Sequence, residues 1–96
     1  MEYIEKFEKI AIKRFNLFLF TMQHALEVVN DCEKTGTRIY GIDGFKLHDD
    51  GRIQPFMEHS VDYSYAQDEY AVYDLAKAFL EQKKNLGLVF EIVVES

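Results

Sequence analysis

The sequence predicts an α+β fold: a long N-terminal helix, an antiparallel β-hairpin, a second helix and a C-terminal strand, with the helices on one face of a small antiparallel sheet. Three observations carry this. Apolar residues recur at three- and four-residue steps through Met1–Lys34. Asp49-Asp50-Gly51 separates two strand-like runs. Leu88 to Val94 alternates, with Leu88, Phe90, Ile92 and Val94 on one face and Val89, Glu91 and Val93 on the other.

The helical spacing of the first segment runs through Ile4, Phe7, Ala11, Phe18, Met22, Ala25 and Val29, with Gly36 as the stop. A continuous helix here would be about 50 Å long, against a radius of gyration of roughly 12 Å for a globule of this size. Either the helix breaks near Asn16 or one end projects. Phe15, Leu17, Phe18, Leu19, Phe20 and Met22 cover every side of such a helix. A helix apolar all round needs cover on all sides, so a homodimer joined through Phe15, Phe18, Leu19 and Met22 is expected. The competing local reading is a short strand at Leu17–Phe20 with Thr21 capping a second helix.

Thr37 to Leu47 reads as a strand interrupted by Gly41 and Gly44. A three-residue turn pairs Leu47 with Ile53 and His48 with Arg52, apolar with apolar and polar with polar, and puts Gly51 in the left-handed position. Pro55 limits the second strand or places it at an edge. Ser64 with Gln67 forms a capping-box pattern for the second helix. That helix is expected to turn Ala71, Leu75, Ala78 and Phe79 inward and to end at Asn85 and Gly87. The apolar Val89 and Val93 imply that the last strand is central, or covered by a partner chain.

One domain, residues 1–96, accounts for the whole chain. Apolar residues make up 48%, with 8 Phe and 6 Tyr, which excludes a disordered chain. Eleven Lys and Arg against 17 Asp and Glu give a net charge of −6. Such a domain is repelled by phosphate backbones, so no nucleic acid is expected and a basic protein partner is. A single cysteine, Cys32, allows no internal disulfide and fits a reducing compartment. There is no signal-peptide pattern and no apolar run of membrane-spanning length, so the expectation is a cytoplasmic protein with no membrane contact.

The chemistry-bearing residues form no recognisable set. His24, Cys32, His48, Asp49, Asp50 and His59 lack metal-ligand spacing. His59, Ser60 and Asp62 are near in sequence, but no constrained nucleophile turn accompanies them. No metal, no cofactor and no catalytic residue is expected. An enzyme or small-ligand protein would need a pocket between helix and sheet holding His59 or His24 beside a carboxylate. The distinctive stretch is Glu58 to Asp74, with five carboxylates and four tyrosines. From Ile53 to Ala76 there is no Lys or Arg. Tyrosine joins a rigid apolar body to a polar tip and suits interfaces. Carboxylates around it suit a Lys- and Arg-rich partner. Glu58, Asp62, Tyr63, Tyr65, Asp68, Glu69 and Tyr73 are therefore the expected partner-binding residues, in a protein that works by protein–protein contact.

Tyr40-Gly41-Ile42-Asp43-Gly44-Phe45, then Asp50-Gly51-Arg52-Ile53-Gln54-Pro55, the segment 58–64 and the closing 88–95 look like small uncharacterised bacterial proteins. Some of these resemble immunity proteins of contact-dependent or polymorphic toxin systems. The resemblance spans residues 39–95 and rests on structural turns. It implies an inhibitor that neutralises a toxin by covering it, and it assigns no residue a role.

Overall fold

The computed structural model describes residues 2–96 and corrects the first third of the chain. There is no long N-terminal helix. A short 3-10 turn, Tyr3–Phe7, leads into strands β1 (Ile12–Arg14) and β2 (Leu17–Thr21), and only then into helix α1 (Met22–Thr35). The chain reverses at Phe15 and Asn16, with φ of 50° and 69°. Two successive left-handed residues make the type I′ hairpin turn. Asn tolerates that conformation, and Phe adopts it only under strain. The apolar stretch 17–20 is thus a strand with a buried side chain on each face. The need for a second chain to wrap an all-apolar helix lapses with that helix. Thr21 caps α1, its hydroxyl accepting from the His24 N–H at 3.4 Å. Gly36 ends the helix at φ 71°, where only glycine is unstrained.

The rest of the chain is β3 (Ile39–Leu47), β4 (Ile53–Asp62), α2 (Glu69–Gln82) and β5 (Leu88–Val94). All pairings are antiparallel, in the order β1-β2-β5-β3-β4. The β3–β4 turn pairs Leu47 with Ile53, the His48 N–H reaches the Arg52 carbonyl at 2.8 Å, and Gly51 sits at φ 89°. β4 carries Pro55 at the sheet edge, where a missing N–H costs no ladder bond. β5 is central.

Both helices pack on one face of the sheet. Ala25, Val28, Val29 and Cys32 of α1 and Val72, Tyr73, Ala76 and Leu80 of α2 meet Phe20, Ile42, Phe90 and Ile92 from the strands. The inward face of α2 is a second correction. Ala71 and Ala78 are exposed and Leu75 is 54% exposed, while Phe79 is half-buried against Phe90 of the core, as expected. From Ala71 to Leu80 the helix is apolar nearly all round, so periodicity cannot pick a side. Bulk decides: Val72, Tyr73 and Leu80 bury more area than the alternative stripe. The Tyr73 hydroxyl also donates to the Thr37 carbonyl at 2.8 Å. The cap shifts too. Asp68, not Ser64, caps α2, its carboxylate accepting from the Tyr70 and Ala71 N–H groups at 3.0 and 3.2 Å.

The opposite sheet face bears no helix. Leu19, Phe45 and Val89 form a smaller cluster there, bordered by half-buried Ile12, Leu17, Leu47 and Ile53. Among the described residues no helix is long and apolar enough to cross a membrane.

Candidate functional site

The acidic, aromatic stretch does not form one exposed surface. Tyr63 and Tyr73 are core residues, 9% and 2% exposed. Asp62 closes a turn by accepting the Ser64 N–H at 2.8 Å, and the Ser64 hydrogen bonds hold its carboxyl below the usual carboxylate range. Asp68 is the helix cap. Glu69 lies 4.0 Å from Arg38, whose guanidinium also reaches the Ser64 carbonyl at 3.3 Å and sits over the Tyr40 ring. A cation from β3's approach therefore serves a segment that has none of its own. Only Tyr65, 89% exposed, and Glu58 lack a local role.

Glu58 stands in an irregular stretch of β4. Gly44 pairs with Phe56, yet Ile42 pairs with Val61, so residues 57–60 bulge opposite Asp43. The Ser60 hydroxyl closes this bulge, accepting the Gly44 N–H at 3.2 Å and donating to the Phe56 carbonyl at 2.8 Å. It is thereby engaged structurally rather than poised as a nucleophile. His59 fills the space over Gly44, where a Cβ would come within 2.4 Å of the His59 carbonyl oxygen. Its Nδ1 is enclosed without a hydrogen bond, and its ring stands edge-on to Phe56 at 5.9 Å.

The residues expected to join two chains also part company. Phe15 is at the β1–β2 turn tip and 77% exposed. Phe18 is half-buried under the Lys13 ammonium. Leu19 is fully buried in the cluster on the helix-free face, and Met22 is half-buried at the start of α1. Phe18 and Met22 border the helix-side core, whereas Leu19 belongs to the opposite face and Phe15 to the turn tip.

A different surface emerges on α2. Its solvent side carries Tyr70, 72% exposed, with Ala71, Leu75 and Ala78, and the acids Asp74 and Glu81 lie between them. Tyr65 stands in the loop before it. This is the stripe assigned inward from the sequence, and a bulk comparison around the helix would have exposed the error. The solvent side of α1 holds Gln23, Glu27, Asn30, Glu33 and Lys34, all polar.

A cross-strand acid pair was not legible in the sequence. β3 and β5 set Asp43 directly opposite Glu91 on the helix-free face. Burial, and then the Asp43 charge, push the Glu91 carboxyl up. A shallow depression of about 290 Å³ beside them is lined by Tyr40, Gly41, Asp43, Asp62 and Val93. A cleft of about 190 Å³ lies between the N-terminal turn, Phe18 and the end of β5. Neither holds a histidine, and no cluster of three metal-ligating side chains occurs among the described residues. Cys32 is buried, which pushes its thiol up to about 11 and away from the reactive thiolate. No known protein family matches the sequence, and no curated protein does.

Proposed function

We propose that this protein acts by binding another protein and performs no chemistry of its own, with the outward face of α2 and the preceding loop as the contact. The observation that carries this is the exposed apolar stripe Ala71, Leu75 and Ala78 set beside Tyr70 and Tyr65. A helix that has already buried Val72, Tyr73, Ala76 and Leu80 has no structural use for a second apolar stripe. Exposed apolar residues grouped in this way mark interaction surfaces. Asp74 and Glu81 give the stripe an acidic border, which favours a basic partner and repels a second copy of itself. An amphipathic basic helix laid along α2, or a basic cleft that receives α2, fits this chemistry. The sharpest form of the reading is an inhibitor of immunity type whose acidic helix covers a basic active cleft.

Three side chains otherwise suited to nucleophilic or acid–base work are occupied: Ser60 in the bulge, Cys32 in the core and Asp68 at the helix cap. The test is charge reversal at Asp74→Lys with Glu81→Lys, two exposed positions without side-chain hydrogen bonds. Capture of a basic partner from the native host should weaken about tenfold or more, and the wild-type interaction should weaken with added salt. Capture that is indifferent to both changes refutes the reading.

A further inference from the structure

We propose that the helix-free face of the sheet is a contact between two copies of this chain, in which Arg14 of each copy meets the Asp43–Glu91 pair of the other. This stands apart from the α2 face and does not depend on it.

Like charges directly opposite one another across a β-ladder destabilise it, and Asp43 and Glu91 are such a pair. Both side chains are half-buried, and Glu91 is flanked along β5 by Val89 and Val93 on the same face. No Lys, Arg or His lies within ion-pair distance of either carboxylate among the described residues. The fold therefore leaves two carboxylates partly desolvated beside each other and supplies no cation.

The cation is elsewhere on that face. Ile12 of β1 packs against the Leu19, Phe45 and Val89 cluster. Strand alternation places Arg14, two residues on, on the same side. Its guanidinium donates to the Lys13 carbonyl at 2.8 Å and pairs with no carboxylate among the described residues. All of β2 separates it from the acids on β5 and β3.

A face bearing an unpaired guanidinium at one side and an unpaired acid pair at its centre is complementary to itself. A two-fold axis brings residue i of one copy to residue j of the other and also j to i. One contact thus creates two guanidinium–carboxylate sets, and Arg is suited to bridging paired carboxylates. Ile12, Leu17, Leu47 and Ile53 supply the apolar border, and the two sheets stack face to face as in a β-sandwich. The α2 face, whose Lys77 is already paired with Glu33, has no such self-complement. β1 and β2 have only 3 and 5 residues, so the shared face is modest beside those of large permanent dimers. The dimer should be reversible with dilution.

Sedimentation equilibrium from micromolar to millimolar protein tests this. Wild type should pass from monomer to dimer. Arg14→Glu and Glu91→Arg should each weaken dimerisation at least about tenfold. An equimolar mixture of the two should restore a dimer, because each variant supplies the charge the other has lost. Should Glu91→Arg fail to fold, Asp43→Arg takes its place in the mixture. Wild type that stays monomeric throughout, variants of unchanged mass, or a mixture that stays monomeric overturns the proposal.

Discussion

Helices α1 and α2 have 14 residues each, lie on the same sheet face and share one core, yet their solvent sides are opposites. α1 turns Gln23, Glu27, Asn30, Glu33 and Lys34 to water. Its flank is closed by the N-terminal turn, where the Tyr3 hydroxyl and the Lys6 ammonium both bind the Asp31 carboxylate. α2 turns Tyr70, Ala71, Leu75 and Ala78 to water and has no such cover. Within one small protein, α1 is the internal standard for a finished solvent face. Measured against it, α2 has an exposed apolar stripe bordered by acids, and that stripe is the proposed contact for a basic partner.

The largest effect should come from confirming which stripe is structural. Leu80→Ala empties a fully buried site and should cost about 2–5 kcal/mol in denaturant unfolding. Leu75→Ala, on the exposed stripe, should stay within about 0.5 kcal/mol of wild type. Equal losses at the two positions would erase the contrast between the faces. Next come the two tyrosines. Tyr73→Phe strands the Thr37 carbonyl in the core and should cost about 1–3 kcal/mol. Tyr70→Phe should be neutral to stability.

The smallest effects are electrostatic, and they have opposite signs. Lys6 and Tyr3 hold the Asp31 carboxyl below its ordinary value. That stabilisation is present above the unfolded carboxylate pKa and is lost as pH falls through the folded one. Glu91 is raised, by burial and then by Asp43. Its destabilising effect grows as pH rises from the unfolded value through the folded one. In thermal melts of dilute, monomeric protein, Asp31→Asn should lower Tm at neutral pH and Glu91→Gln should raise it. Both differences should shrink towards acid pH.

How much of this could be read from the sequence depends on where the information sits. The β3–β4 turn was legible because Asp-Asp-Gly fixes the loop, and only one register pairs Leu47 with Ile53 and His48 with Arg52. The β1–β2 turn was not. Its left-handed residues are Phe15 and Asn16, without the glycine that normally announces a hairpin, and a four-residue apolar run suits helix and strand alike. For α2, periodicity offered two stripes, and only packing against Phe90 and the Tyr73–Thr37 hydrogen bond chose between them. The Asp43–Glu91 pair lay beyond sequence reasoning, since its register is set by long-range pairing past a shift between Ile39 and Gly41. The acidic stretch was conspicuous in the sequence, yet most of it serves the turn, the cap and the Arg38 pair.

The most direct measurement sets the two helices against each other. Tyr70→Ala with Leu75→Glu on α2, and Gln23→Lys with Glu27→Lys on α1, should each leave a folded protein, since all four positions are exposed. In parallel capture from the native host, a basic partner should be retained by wild type and by the α1 variant, and lost by the α2 variant. Retention by all three, or no protein whose retention depends on α2, contradicts the account.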